Sequence, residues 1–285
     1  MSLKRAVPLL ISFPVLILTP YVARAGAWTL KPGEYYTEIR GSHRSAATAH
    51  DSTGARVLFG FGGNREEREL VSYTEIGWKK ALTFVLAIPA VSRTVNFDPP
   101  LRPLTRTGLS DLLLGLRLKL INGPTAMAAE AEWKAPLGYD RDVFPALGDG
   151  QQDVSGRLLF GAPIAGRGFI DAGAGYRYRF EDPLNEILAT ADLGIWLGPS
   201  LLAAGRYDYT KSVGTGDVLG QEYQAHLVGP QLTYRVDDRL DVFAGSTHTA
   251  SARNFAHFDR YYVGVAVKHT ALDRLQGFLG GKQRR

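Results

Sequence analysis

Two places in the sequence combine a serine nucleophile with a histidine that could serve as its base, the second with a polar residue that could orient the ring. His43-Arg44-Ser45 sets a histidine and a serine two residues apart, and His248, Ser251, Asn254 and His257 gather farther on. In a strand alternate residues share a face, so His43 and Ser45 would lie together. Such sets can activate a serine hydroxyl against an ester when the imidazole reaches it and a third group orients the ring. His43 has no neighbouring Asn or Gly to continue a lipase-like pattern, and both sets fall where strands run into loops, where polar residues are common anyway. His248 and His257 match no regular metal-ligand spacing. The absence of Cys excludes thiol nucleophiles, Cys-based zinc sites, iron–sulfur clusters and disulfides. Gly54, Gly60, Gly62 and Gly63 precede Arg65-Glu66 and not Lys-Ser/Thr, so they form no phosphate loop. No metal and no cofactor is expected.

A larger set of chemistry-bearing residues recurs at a spacing of two, opposite an apolar face. It comprises Glu38, Arg40, Asp111, Arg117, Lys119, Glu130, Glu132, Lys134, Asp153, Arg157, Asp171, Arg177, Arg179, Asp192, Arg206 and Asp208, eight of each sign. Pairs such as Arg117 and Lys119 beside Glu130 and Glu132 would meet across neighbouring strands. A confined interior makes an unpaired charge costly, so a paired network is expected. Balanced signs argue against strong ion selectivity, which needs rings of one sign.

The elements that hold these residues read as strands. From Leu109 to Ile121, Leu112, Leu114, Leu116, Leu118 and Leu120 fall on one face, and Asp111, Leu113, Gly115, Arg117 and Lys119 on the other. A helix would scatter those leucines around its circumference. The alternation predicts twelve strands, at 33–43, 67–77, 81–95, 109–121, 125–137, 152–162, 168–180, 187–197, 201–211, 222–234, 239–250 and 260–269. Turns at 78–80, 122–124, 163–167, 198–200 and 235–238 are short. The connections at 44–66, 96–108, 138–151, 212–221 and 251–259 are long and polar, with 181–186 a shorter exception. Short turns on one side and long loops on the other predict an all-β fold, a transmembrane antiparallel β-barrel of about 12 strands. A soluble sandwich has no reason to keep one side short or to mix Gly and Ala among its surface charges. The long loop 44–66 could fold inward as a plug. Tyr35, Tyr73, Trp133, Tyr176, Tyr178, Phe180, Tyr207, Tyr209, Tyr261 and Tyr262, mostly near strand ends, suggest interfacial girdles.

The ends carry the net charge. Lys4, Arg5, an apolar run broken by Pro8, Pro14 and Pro20, and Ala23-Arg24-Ala25 predict a cleavable signal peptide over 1–25. A barrel over 26–269 and a basic periplasmic tail over 270–285 follow. The net charge of +5 contains +3 from the leader and +3 from the tail, which leaves the body near −1 and gives nucleic acid no surface. The mean hydropathy of −0.10 excludes a bundle of membrane-spanning helices. The expected location is the outer membrane of a Gram-negative-type cell.

Five stretches resemble one family. They are Gly108-Leu109-Ser110-Asp111-Leu112-Leu113-Leu114-Gly115, Lys134-Ala135-Pro136-Leu137-Gly138, Leu147-Gly148-Asp149-Gly150-Gln151-Gln152-Asp153, Asp171-Ala172-Gly173-Ala174-Gly175-Tyr176-Arg177-Tyr178 and Val228-Gly229-Pro230-Gln231-Leu232-Thr233-Tyr234-Arg235. In order and spacing, across 28–269, they resemble the outer-membrane proteins named after the meta-pathway of phenol degradation. The chain departs from that pattern in ending on a basic tail, not on an aromatic residue that closes the last strand. The resemblance implies a barrel that passes small or aromatic compounds. The expected partners are outer-membrane lipid, a small-molecule solute and the barrel insertion machinery. A lipid hydrolase and a structural or adhesive barrel are the alternatives.

Overall fold

The computed structural model describes residues 26–59, 63–121, 123–164, 167–180, 184–214 and 222–270. The expected leader and nearly all of the expected tail lie outside them. The described residues contain fourteen strands: β1 (Glu34–His50), β2 (Arg56–Leu58), β3 (Asn64–Lys79), β4 (Leu82–Asn96), β5 (Leu104–Leu109), β6 (Asp111–Ile121), β7 (Ala126–Pro136), β8 (Asp153–Ile164), β9 (Gly168–Arg179), β10 (Asn185–Trp196), β11 (Leu201–Val213), β12 (Gln224–Arg235), β13 (Leu240–Arg253) and β14 (Phe255–Thr270).

Each strand pairs antiparallel with its neighbour, and β14 pairs with β1, so the sheet closes. Closure removes exposed edges and satisfies every ladder group internally, which lipid demands. β5 and β6 both pair with β4 and form one stave, interrupted at Ser110. β2 only extends the hairpin above β1. Twelve staves therefore make the wall.

The pleat explains the sequence pattern. Leu114, Leu116 and Leu118 are outward and exposed, with Val154, Ile170, Leu193, Leu232, Val263 and Val265, and form an apolar belt. Between them Asp111, Leu113 and Arg117 point inward and are buried. Trp133, Tyr176, Tyr178, Phe180 and Tyr261 also face outward. Tyr73 and Tyr262 do not belong to a girdle. Both are buried in the lumen, where their hydroxyls donate to Glu75 (2.5 Å) and Gln231 (3.0 Å).

Three expected loops change. Residues 44–50 and 64–66 are strand, so the loop 44–66 shrinks to a hairpin whose turn is held by Asp51, which accepts from the Thr53 amide at 2.8 Å. It is not the plug. Residues 251–259 shrink to a tight turn at Asn254, whose φ of 47° suits a residue that tolerates the left-handed region. Loop 137–152 folds inward. Leu147 and Gln151 are buried, and the Leu147 carbonyl accepts from the Ser110 hydroxyl at 2.6 Å. The strand break at Ser110 is thus the place where that loop is tied to the wall.

Candidate functional site

Inward pleat positions converge in the lumen, and among the described residues four groups of their charges stand out, apart from the pair of Lys268 and Asp241 at the periplasmic end. In the first, Arg117 on β6 reaches Glu75 on β3 at 3.0 Å and Glu130 on β7 at 2.7 Å. Arg157 on β8 reaches Glu130 at 2.7 Å and Glu132 at 2.6 Å, and Glu132 accepts from the Ser155 hydroxyl at 3.2 Å. The side chains of Arg117 and Glu130 are each 1% exposed. A guanidinium offers donors in a rigid fork, so one arginine can hold two carboxylates on different strands.

The second group lies toward the external end. Lys134 bonds Asp149 and lies 2.5 Å from Asp153 and 3.9 Å from Asp111. Arg179 reaches Asp149 at 2.7 Å and Glu186 at 3.2 Å. Arg177 reaches Glu186 at 2.6 Å, and Tyr223 donates to the same carboxylate. Asp149 is a loop residue, so these bonds latch loop 137–152 to the inner face of β7 and β9. Burial by itself would raise the Asp149 pKa, but the adjacent Lys134 and Arg179 charges hold it below the usual carboxylate range. Tyr139 in the same loop donates to Asp111, and burial together with that carboxylate keeps its phenol protonated.

The third group joins Arg44 on β1 and Arg93 on β4 to Glu67, at 2.8 and 2.5 Å, and Arg260 on β14 to Glu69 at 2.8 Å. The fourth lies on the far wall, where Arg206 holds Asp192 at 2.8 Å and Arg40 lies 3.9 Å from Glu38. A cavity lies against this wall, lined by Arg40, Arg177, Arg206, Asp208, Arg260 and Tyr262 among others.

All sixteen sequence candidates lie at inward positions. Asp208 lines the cavity, Asp171 is buried near the periplasmic end, and Lys119 is half-buried there opposite Ala128. Sequence reasoning missed Arg44, Glu67, Glu69, Glu75, Arg93, Asp149, Glu186 and Arg260. The run Glu66-Glu67-Arg68-Glu69 carries charge on both faces and so conceals its parity; only the register places Glu67 and Glu69 inside and Arg68 outside. Asp149 lies in a loop, where no periodicity applies.

The chain segment before β1 also enters the barrel. Ala27 is buried in a cluster with Ala126, Ala128 and Leu159, and Trp28 meets Phe169 edge-on at 6.5 Å. The Leu30 amide donates to the Thr83 hydroxyl at 3.1 Å. Small inward residues, Gly77 and Gly161 among them, leave room for this crossing; a Cβ on Gly161 would collide with the Trp28 ring.

Among the described residues no group of acidic, His or Cys side chains is arranged to hold a metal ion. The histidine sets of the sequence come apart. His43 and Ser45 lie on the outer face, opposite Tyr261 and Asp259. Asn254 donates to the Glu222 carbonyl at 2.7 Å, and His257 pairs with His50 at 3.1 Å.

A model of the family described as MetA-pathway of phenol degradation matches residues 45–263. In fold the chain is similar to an outer membrane channel from Pseudomonas putida F1, with a TM-score of 0.73 at 15% identity over 87% of this chain and 100% of that one. It is also similar to the translocator domain of the autotransporter NalP from Neisseria meningitidis, with a TM-score of 0.50 at 10% identity over 81% and 88%. The NanC porin gives a TM-score of 0.50 at 10% identity over 81% and 98%. No curated protein matches the chain in sequence.

Proposed function

The chain belongs to the family named for the MetA-pathway of phenol degradation, and on that footing we propose that it is an outer-membrane channel for small compounds, aromatic ones included. The observation that carries this reading is the cavity along the wall of Arg40, Arg206 and Arg260 inside the closed barrel. Passage is passive or facilitated and involves no covalent step. Guanidinium planes stack on aromatic rings and bind polar tips, and the Tyr262 ring already lies 5.6 Å from the Arg40 guanidinium. A planar solute could replace such contacts one by one along the path. Each arginine keeps a carboxylate beside it, so neither sign of ion is strongly preferred.

The latch of loop 137–152 and the crossing segment at Trp28 narrow the two ends, which sets a small size limit. Liposome swelling with graded solutes tests the reading. Small solutes should swell proteoliposomes faster than protein-free vesicles, with a sharp cutoff, and planar bilayers should show discrete conductance steps. Equal swelling with and without protein for every solute would overturn it.

A further inference from the structure

On the outer face of the wall, away from the lumen, three side chains form one hydrogen-bonded chain. Ser246 and His248 lie two apart on β13 and share the outward pleat. His248 Nε2 is 2.9 Å from Ser246 Oγ, and its Nδ1 is 2.7 Å from Oδ1 of Asp259. Asp259 stands directly opposite His248 on β14. One tautomer satisfies both contacts: Nδ1–H donates to the carboxylate, and Nε2 accepts from the serine hydroxyl. That is the order of groups by which a serine is made nucleophilic, and such sets are recognised by geometry and not by sequence position. The third member is therefore Asp259, eleven residues on, and the serine is Ser246; neither Ser251 nor Asn254 takes part.

The depth of the set on the barrel suggests its substrate. Toward the periplasmic end of the same face lie Val242, Val263 and Val265, all exposed to the apolar belt. Toward the external end lie Ala250 and His257. The set therefore sits at the outer border of the belt, the level at which a bilayer lipid passes from acyl chain to ester and head group. The His248 and Asp259 side chains are 35% and 45% exposed, so a lipid can approach them from the side.

We propose that Ser246, His248 and Asp259 form a second site, which hydrolyses carboxylic esters of lipids in the surrounding leaflet. His248 Nε2 takes the Ser246 proton as Oγ attacks the ester carbonyl carbon and the Oγ–C bond forms. The tetrahedral adduct collapses, the bond from carbon to the alcohol oxygen breaks, and His248 returns the proton to that oxygen. A water molecule then gives a proton to Nε2, attacks the acyl-serine and releases the fatty acid, while the proton passes back to Oγ. One ester and one water yield one acid and one alcohol, with no change in oxidation state. Asp259 is a positioning residue that fixes the ring and balances the imidazolium. Tyr261 lies opposite Ser246 and meets the His248 ring edge-on at 5.7 Å; to its hydroxyl we assign donation to the adduct oxygen.

The experiment uses the whole chain refolded into phosphatidylcholine vesicles, with fatty-acid release as one readout and labelling by a fluorophosphonate as the other. Wild type should release fatty acid and take the label. Ser246→Ala should abolish labelling, and Ser246→Ala or His248→Ala should cut release by at least about 100-fold. Asp259→Asn should lower kcat with KM unchanged. Solute swelling should stay at the wild-type level in all three variants, which shows that they fold and separates this site from the channel. Release no faster than from protein-free vesicles, or equal release by Ser246→Ala, would overturn the proposal. Hydrolysis of dissolved p-nitrophenyl acetate without release from vesicles would overturn the lipid as substrate.

Discussion

The wall built by β6 to β9 and the wall built by β10 to β14 with β1 carry similar charges but are packed differently. On the first, Arg117, Glu130 and Arg157 interlock from three strands, and water hardly reaches them. On the second, Arg206 holds Asp192, whose side chain is 21% exposed, and open space borders the arginines. Charge balance alone therefore does not decide whether a lumen is shut. The two regions differ in whether one guanidinium holds two buried carboxylates, as Arg117 does, or a partly exposed one, as Arg206 does. An arginine shared by two carboxylates on different strands ties those strands together and fills the space between them. An arginine that borders open space can turn some of its donors toward a solute.

Four changes test that contrast. The largest effect is expected from Arg117→Ala, which leaves Glu75 and Glu130 buried without their shared cation. Removing one member of a buried pair costs about 3–5 kcal/mol, so the urea midpoint of the folded barrel should fall far below wild type. An unchanged midpoint would mean that the closed wall is not structural. Next comes Arg206→Ala on the open wall. Stability should drop less than in Arg117→Ala, because Arg206 holds a carboxylate that is itself 21% exposed, while single-channel conductance and cation permeability rise. A stability loss as large as that of Arg117→Ala would erase the difference between the walls.

Acid should act on the latch that ties loop 137–152 to the first wall. The Asp149 pKa is depressed in the folded chain, so its contribution is complete above about pH 4 and is lost as the pH falls through the folded value. Conductance should rise reversibly in acid, and Asp149→Asn should show the raised level already at neutral pH. Conductance that is flat from neutral to acidic pH would show that loop 137–152 does not limit passage. The smallest effect is expected from Trp28→Ala, which opens the periplasmic end. Trp28 is 36% exposed, and its loss should only modestly widen the size cutoff in liposome swelling.

The period-two pattern of Leu112 to Leu120 was enough to read strands, faces and closure, because a pleat sorts side chains by parity whatever the partner strand. The same parity placed Arg117, Glu130 and Arg157 inside. It was silent for Glu67 and Glu69, where charge occupies consecutive positions, and for Asp149, whose loop has no period. It also placed Tyr73 and Tyr262 with the girdle residues, since an aromatic near a strand end has no parity of its own until its neighbours are assigned.

Alternation along the chain was sufficient to dictate a ribbon of hairpins with an apolar side and a charge-balanced side. Local sterics and the hydrophobic effect act on alternation directly, so that much needed no knowledge of register. Only the assembled barrel settled which carboxylate each arginine holds, which loop enters the lumen, and that Ser246, His248 and Asp259 meet on the outer face. Those contacts depend on the alignment of β13 against β14 and of β6 against β7, where a slip of one residue would turn every partner to the opposite side. That alignment is fixed by the closed sheet as a whole, not by any segment within it.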